Sequence, residues 1–288
     1  MGLMQAVILG LVQGLTEFLP ISSTAHLRIV PALLGWPDPG AAFTAVIQLG
    51  TLAAVLVYFR KDLLEAATGW FRSLKGGSGA STPSSRLGWA IFVGTIPIVI
   101  MGLMFKTSIE NELRSLQVVA WSLIAMGLVM GVADRLAVAP RDLDEVGTRD
   151  GWWVGAWQAI ALIPGASRSG STISGALFAR FDRAAAARFS FLLSVPSVFA
   201  AGVFSIKEHA GSLKQDLAPV IVATLVSFVV GYAAIAFLLR YLQTRGLFPF
   251  VVYRVLVGVA ILTMLSQGTL QPDTGLPKPI ADVAAGGP

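Results

Sequence analysis

Two short polar segments interrupt otherwise apolar stretches of this sequence. The first reads E-F-L-P-I-S-S-T-A-H over residues 17–26 and follows sixteen residues without a charged side chain. The second reads P-G-A-S-R-S-G-S-T-I-S-G over residues 164–175. Together they supply a carboxylate (Glu17), an imidazole (His26), a guanidinium (Arg168) and a series of hydroxyls. Ionisable side chains in apolar surroundings are costly and mark functional sites, so the two segments predict one buried polar centre.

The second segment has the residue types of an anion-binding site. Gly165 and Gly170 allow tight turns that expose backbone N–H groups, and a helix that begins here would direct its N-terminus at the anion. The planar guanidinium of Arg168 matches the oxygens of a phosphate group. Hydroxyl groups expected beside it belong to Thr24, Ser167 and Ser169. The expected ligand is therefore an anion, and above all a phosphate.

The first segment carries groups that can attack a phosphate. Ser23 and His26 are three residues apart and would share a helix face, so Ser23 could attack with His26 as its base. Alternatively, His26 attacks or activates a water while Ser23 donates a hydrogen bond, and the sequence leaves both schemes open. Each residue also has a structural alternative: Ser23 as a helix cap, His26 as a satisfied interior side chain, and Glu17 with Arg168 as an ion pair that joins the two segments.

The composition places these segments in a membrane protein. Of 288 residues, 55% are hydrophobic and 13% are charged, against about 25% charged residues in soluble domains. The stretches long and apolar enough to cross ~30 Å of hydrocarbon are 40–59, 87–105, 116–138, 184–206, 217–239 and 248–266. The net charge of +5 comes from basic residues between apolar stretches, as topology signals do, which argues against nucleic acid as a partner. Because the sequence contains no cysteine, disulfides and thiolate metal sites are excluded.

Both polar segments lie in apolar runs with a central break. Residues 2–34 are broken at Leu19-Pro20, and residues 152–181 at Pro164-Gly165. Such runs predict re-entrant helical hairpins whose tips stop inside the membrane. The breaks are 144 residues apart, half the chain length, and three spans follow each of them, which predicts an inverted-topology repeat. The predicted fold is all-α and polytopic, with a first repeat at 1–144, a second, inverted repeat at 145–270 and a flexible tail at 271–288.

The basic residues predict the orientation of the chain. If the first hairpin enters from outside, thirteen Lys and Arg residues fall in cytoplasmic loops and five on the outer side, as the positive-inside rule requires. Three further residues, Arg28, Arg168 and Arg254, fall within membrane segments. Of these, Arg28 and Arg254 are expected to reach toward the surface or to pair structurally. The stretch 75–85 is predicted to be a flexible cytoplasmic linker.

The two polar segments resemble the signature regions of the bacterial undecaprenyl-diphosphate phosphatases, the bacitracin-resistance family. The resemblance rests on G-L-V-Q-G-L-T-E-F-L-P-I-S-S-T-A-H (10–26) and on residues 164–175, and Q-L-G-T-L-A-A-V-L-V-Y-F-R (48–60) is similar to the family's next span. It implies an integral phosphatase of the bacterial cytoplasmic membrane that removes the terminal phosphate of a polyprenyl diphosphate. The site would face the outer side, and the reaction would recycle a lipid carrier for cell-wall synthesis.

The resemblance also implies which residues form the site. The family's essential Ser, His and Arg match Ser23, His26 and Arg168. Its acidic pattern, Glu or Gln followed four positions later by Glu, matches Gln13 and Glu17, which would share one helix face. The implied cofactor is Mg²⁺ or Ca²⁺, held partly by Glu17, although Gln at position 13 supplies one negative charge fewer than Glu would. The expected partners are the polyprenyl diphosphate and membrane lipid, and a homodimer is left open.

Two other functions agree with parts of the sequence. A secondary transporter, or a flippase of a polyprenyl phosphate, would also use an inverted repeat with broken helices, but it needs no nucleophile beside a carboxylate. An ion channel would need a ring-forming selectivity sequence, which we do not find. The chemistry of the two segments therefore favours the phosphatase.

Overall fold

The computed structural model describes residues 1–75, 82–110, 112–137, 141–209, 211 and 217–276. Within these ranges the regular structure is helical, with no named strand, so the predicted all-α class is confirmed. Six helices are long and apolar enough to cross a membrane. They are α3 (Gly40–Tyr58), α5 (Pro83–Met104), α7 (Leu116–Leu136), α10 (Arg183–Glu208), α11 (Leu217–Leu242) and α12 (Phe248–Ser266). These are the six predicted spans, with α10 and α11 extending past the predicted ends.

Four shorter helices form the two predicted hairpins. They are α1 (Leu3–Phe18), α2 (Ser23–Leu33), α8 (Thr148–Ile160) and α9 (Arg168–Phe178). The second limb of each hairpin has 11 residues, which is about 16 Å of helix and roughly half the hydrocarbon thickness. Neither limb can therefore cross the bilayer. The second hairpin begins before the predicted residue 152, because the Asp150 carboxylate accepts the N–H of Gly147 at 3.0 Å and starts the helix there.

Each hairpin turns at a serine with an unusual backbone. Ser22 has φ of 76° and Ser167 has φ of 72°, a left-handed region that is costly for residues other than glycine. Both serines cap the limb that follows: Ser22 Oγ accepts the N–H of Ala25 at 3.3 Å, and Ser167 Oγ accepts the N–H of Gly170 at 3.1 Å. The two hairpins, far apart in sequence, therefore turn by the same local geometry.

Small residues let the hairpins lie against the spans. The first hairpin packs on α11, where a Cβ at Gly10 would lie 2.6 Å from Ala223 O. The second packs on α5, where a Cβ at Gly94 would lie 2.6 Å from Gly151 O. Close helix approach through small residues is a common way to pack helices in membranes. The main hydrophobic cluster surrounds α9 and α10 and includes Phe18, Phe59, Phe181, Phe189 and Phe191.

Ion pairs mark the two ends of the helical bundle. One end, here called the Asp134 end, contains residues 59–75, 135–137, 141–147 and 243–247. The first of these ranges includes the amphipathic α4 (Arg60–Leu74). At this end Asp134 pairs with Arg183 and Asp62 with Arg188. Asp150 accepts hydrogen bonds from Arg141 and thereby raises the pKa of that guanidinium above its ordinary value.

The opposite end, here called the Asp38 end, contains residues 34–39, 105–110, 112–115 and 267–276, including α6 (Lys106–Glu110). The carbonyl oxygens of Pro272 and Gly275 accept the N–H groups of Leu116 and Asp38, at 2.8 and 2.9 Å. The first residues of the predicted flexible tail are therefore bonded to this end. The remainder of that tail, and most of the predicted linker at 75–85, lie outside the described residues, and the division into two repeats stays a prediction.

Candidate active site

The tips of the two hairpins contact each other inside the bundle. Arg168 Nη2 lies 2.5 Å from Glu17 Oε1, and Thr24 Oγ1 accepts the N–H of Gly165 at 3.4 Å. A third contact joins Ser169 Oγ to Leu19 O at 3.4 Å. The two polar segments of the sequence thus form one buried centre, with a carboxylate and a guanidinium at its middle.

Glu17 is the hub of this centre. Its side chain is only 3% exposed, and one carboxylate oxygen accepts hydrogen bonds from Ser23 Oγ at 2.5 Å and from Gln13 Nε2 at 2.9 Å. Gln48 Nε2, on α3, lies 3.4 Å from the same oxygen. The other oxygen binds Arg168. Because Ser23 donates its hydroxyl proton toward Glu17, the carboxylate is placed to accept that proton.

Two buried polar atoms beside this hub have no protein partner in the described part of the chain, Arg168 Nη1 and Gln13 Oε1. A buried donor or acceptor without a hydrogen bond is costly and calls for a ligand or water. Arg168 uses Nη2 for Glu17 and keeps Nη1 for another anion. Gln13 likewise donates through Nε2 and keeps its carbonyl oxygen for a donor or a cation.

A cavity of about 230 Å³ opens onto the hub. Glu17, Ser23, Thr24, Ser167 and Arg168 form the polar wall at the hub, and Arg28 and Arg114 also line the cavity. Most of the remaining lining surface is apolar, with side chains from α3, α5 and α10. A polar end next to apolar walls suits a molecule that carries an anionic head on an apolar chain.

Both ring nitrogens of His26 lie at hydrogen-bonding distance from groups other than Ser23. Its Nδ1 lies 2.7 Å from Ser22 O, and its Nε2 lies 2.8 Å from Tyr253 Oη, with the two rings nearly parallel at 5.6 Å. A carbonyl oxygen only accepts, so Nδ1 carries the proton and Nε2 accepts from Tyr253. Among the described residues, His26 is not part of the cavity wall, and its ring forms no hydrogen bond with Ser23. These contacts do not support the scheme in which His26 is the base of Ser23, and they agree with the alternative of a satisfied interior histidine. A chemical role for His26 stays a prediction.

Three other predicted binding residues form hydrogen bonds within the protein. The N–H groups of Gly165 and Gly170 were expected to face the anion, but they donate to Thr24 and Ser167. The Gly170 N–H is taken by the Ser167 cap and the Gly165 N–H by the contact between the hairpins, so neither group is free for an anion here. A role of these glycines in substrate binding stays a prediction. Ser169 is fully buried and bonds to Leu19 O rather than lining the cavity. Thr24 and Ser167 do line it.

Arg254 holds the hairpin tips in a way that its sequence position does not indicate. It does not reach for the surface: it is 0% exposed. Its guanidinium donates to the carbonyl oxygens of Gly165 and Ala166, each at 2.9 Å, and of Pro20 at 3.1 Å. A fourth, longer bond reaches Leu123 O at 3.3 Å. Arg254 therefore ties both hairpin tips to α7 and α12. The only sequence signal was an arginine inside an apolar span, which names no partner.

Comparison with known proteins gives a consistent assignment. The protein-family model described as bacitracin resistance protein BacA matches residues 6–260. The undecaprenyl-diphosphatase of Myxococcus xanthus is 52% identical over 277 residues, which cover 96% of this chain and 93% of that protein. The undecaprenyl-diphosphatase of Nocardioides sp. is 52% identical over 268 residues, covering 93% of this chain and 98% of that protein. The undecaprenyl-diphosphatase of Thermobifida fusca is 48% identical over 275 residues, covering 96% and 94%.

Proposed function

Because the chain belongs to the bacitracin resistance protein BacA family, we propose that it is a membrane phosphatase that hydrolyses undecaprenyl diphosphate to undecaprenyl phosphate and inorganic phosphate. The observation that carries the proposal is the cluster of Ser23, Glu17 and Arg168 at the polar end of a cavity with apolar walls. It combines a nucleophile, a proton acceptor and an anion-binding group. The likeness to relatives named for this reaction supports the choice of substrate.

In the scheme we favour, Ser23 is the nucleophile and Glu17 its base. Ser23 Oγ attacks the terminal phosphorus, its proton passes to Glu17 Oε2, and the bond from that phosphorus to the bridging oxygen breaks. The polyprenyl monophosphate leaves as an anion, so no proton donor is needed for it. Water then attacks the phosphoserine, Glu17 returns a proton to Ser23, and inorganic phosphate is released. The 2.5 Å bond between Ser23 and Glu17 supports Glu17 over His26 as the base.

Arg168 positions the phosphate in this scheme. Its free Nη1 is available to the terminal phosphate, while Nη2 keeps the Glu17 carboxylate in place. Phosphoryl transfer depends mainly on positioning and on stabilising negative charge. The Arg168 guanidinium can position the phosphate and stabilise its charge without a large movement of the hairpin tip. The tip is held by the cap of α9 and by the hydrogen bonds of Arg254.

Dependence on a divalent cation is part of the proposal. Among the described residues, no group of three His, Cys, Asp or Glu side chains could hold a metal. The Glu17 carboxylate would hold Mg²⁺ together with oxygens of the substrate, since Mg²⁺ commonly binds one or two carboxylates together with substrate phosphates. Gln13 Oε1 has no partner, but Gln13 is not among the described residues that line the cavity, so its part in holding the cation stays a prediction. A bound cation would neutralise charge on the phosphate oxygens during transfer.

The lipid and the orientation follow from the same arrangement. We propose that the prenyl chain lies along the apolar walls of the cavity, next to the surrounding membrane lipid. The Asp38 end would face outward in the bacterial cytoplasmic membrane, because the basic loops are concentrated at the Asp134 end. A homodimer has no specific observation in its favour and stays a prediction.

The test is phosphate release from a polyprenyl diphosphate by the purified protein in detergent. We expect release by the unaltered protein, inhibition by EDTA, and loss of release in Ser23→Ala. The matched control is Ser266→Ala, which removes an exposed hydroxyl at the end of α12 and should leave the rate unchanged. No release by the unaltered protein with added Mg²⁺ or Ca²⁺ would refute the proposal and leave lipid transport as the alternative.

A further inference from the structure

A second buried guanidinium lies in the same cavity and has no role in the scheme above. Arg28, on α2, is 2% exposed, and its terminal nitrogens Nη1 and Nη2 have no hydrogen-bond partner among the described residues. Its Nε donates to Arg114 O at 3.2 Å. Arg28 thus keeps two buried donor groups without an acceptor, which is costly unless a ligand supplies one.

The nearby acid does not satisfy Arg28. Asp38 accepts three hydrogen bonds from Arg114, at 2.8, 2.8 and 3.2 Å. The closest approach of Arg28 to Asp38 is 3.9 Å, from Nε to Oδ2. Asp273 adds a favourable electrostatic interaction, but among the described residues no ion pair joins it to Arg28. Arg114 therefore takes up the carboxylate that would otherwise pair with Arg28.

Arg28 lines the substrate cavity, and its Nη1 lies near Gly275 at the Asp38 end. Arg28 and Arg114 line this cavity together with Ser23, Thr24 and Arg168. Thr24 and Arg28 are four residues apart and share a face of α2. Ser23 and Arg28 are separated by about 7.5 Å along the helix axis, in the direction of the Asp38 end. Arg28 thus lies on the side of the reacting centre nearer the Asp38 end, where Arg114 also lines the cavity.

We propose that Arg28, supported by Arg114, forms a second phosphate-binding subsite in the cavity, apart from the phosphate held by Arg168. The inference rests on the proposed function, since it assigns the subsite to that reaction's phosphates. Its occupant is a phosphate oxyanion, either the second phosphate of the bound diphosphate or the inorganic phosphate leaving toward the Asp38 end. In both cases the phosphate oxygens accept the buried Nη1 and Nη2 donors, and the guanidinium fork matches them in shape.

The experiment compares anion binding by the purified full chain and by its Arg28→Met variant, in detergent free of phospholipid. Titration calorimetry would use methylenediphosphonate as the diphosphate probe and orthophosphate as the single-phosphate probe. We expect Arg28→Met to raise the Kd of methylenediphosphonate about tenfold to a hundredfold, which is the range for one lost charge-assisted bond. A similar rise in the Kd of orthophosphate would assign the subsite to the leaving phosphate. An unchanged Kd of orthophosphate would assign it to the second phosphate of the substrate.

The matched control is Arg188→Met, which removes an arginine from the ion pair with Asp62 at the Asp134 end. The inference would be overturned if Arg28→Met left the Kd of both probes unchanged. It would also be overturned if Arg188→Met raised the Kd values as much as Arg28→Met does. If Arg28→Met does not fold, Arg28→Lys keeps the charge and loses the fork. Its methylenediphosphonate Kd should rise about threefold to tenfold, and a wild-type value there would also overturn the inference. Failure of the unaltered protein to release phosphate from the lipid would refute the proposed function while the two titrations remain readable.

Discussion

Arg254→Met tests the contact between the two hairpin tips. The substitution keeps an unbranched apolar side chain of similar length inside α12 but removes every donor. Four carbonyl oxygens then lose a charged partner: Pro20 O, Leu123 O, Gly165 O and Ala166 O. Because Pro20, Gly165 and Ala166 lie at the hairpin breaks, we expect losses in both stability and rate.

The size of the effect can be worked from the hydrogen bonds. A bond to a charged group contributes about 1.5–3 kcal/mol, so the two 2.9 Å bonds to Gly165 and Ala166 correspond to about 3–6 kcal/mol. Removing a buried cation that has no carboxylate partner offsets part of this. We expect a net destabilisation of about 2–4 kcal/mol, which lowers Tm by roughly 5–15 °C in a protein of this size. Displacement of a tip by about 1 Å would lower kcat on the order of a hundredfold.

The assay is thermal unfolding in detergent together with phosphate release at a temperature where the variant is folded. The matched control is Arg240→Met, which changes an exposed arginine in the last turn of α11 and should leave both values unchanged. The reasoning would be refuted if Arg254→Met kept Tm within about 2 °C of wild type and kcat within about threefold. Arg254 would then be a buried residue of no importance to the tips.

The remaining predictions concern the carboxylate, the imidazole and the orientation. Glu17→Gln should lower kcat by on the order of 10²–10³ and weaken the response to added Mg²⁺ or Ca²⁺, and a phosphate-release titration with wild-type metal dependence would contradict this. Tyr253→Phe removes one hydrogen bond to His26, which contributes about 1 kcal/mol. Tm should therefore fall by a few degrees while kcat stays within about tenfold of wild type. Complete loss of turnover would indicate that His26 takes part in the reaction. In the cysteine-free chain, an impermeant thiol reagent added to intact cells should label Gln271→Cys and not Thr148→Cys, and the reverse result would invert the proposed orientation.

The hairpins and the pairing of their tips are predictable from the sequence for simple reasons. Pro20 and Gly165 break apolar runs that are too short to cross twice, and the ionisable residues at both breaks are too costly in hydrocarbon to stay unpaired. The contact between Glu17 and Arg168 follows from these two facts. The positions of the membrane spans can be predicted equally well, because they depend on the length and hydropathy of each segment.

The orientation of single side chains is harder to predict from the sequence. Helical spacing allows His26 to act on Ser23 but leaves other roles open, and the ring lies between Ser22 O and Tyr253, a partner 227 residues away. The N–H of Gly170 looked free because the sequence does not show that Ser167 adopts a positive φ and caps the following helix. The N–H of Gly165 looked free because its acceptor, Thr24, belongs to the other hairpin. Such details depend on tertiary neighbours, which spacing alone does not identify.

Arginines in apolar spans show the same limit. From their positions in apolar segments, Arg28 and Arg254 carry the same expectation, that of reaching the surface or pairing. In the structure both are buried, but Arg254 satisfies carbonyl oxygens at the tips, whereas Arg28 keeps free donors in the cavity. The difference arises from the backbone breaks, which expose carbonyl oxygens beside Arg254 and none within bonding distance of the Arg28 terminal nitrogens among the described residues.

The central claim is that Ser23, Glu17 and Arg168 form one phosphatase centre. Its most direct measurement is the rate of phosphate release from a polyprenyl diphosphate by Ser23→Ala and Arg168→Lys, each shown to be folded by thermal unfolding in detergent. Arg168→Lys keeps the charge but loses the planar fork. We predict that both variants lose on the order of 10²–10³ in kcat, with Ser23→Ala the more severe. Turnover near the wild-type rate by both variants would contradict the claim and leave the bond between Glu17 and Arg168 as an ion pair that only joins the two hairpins.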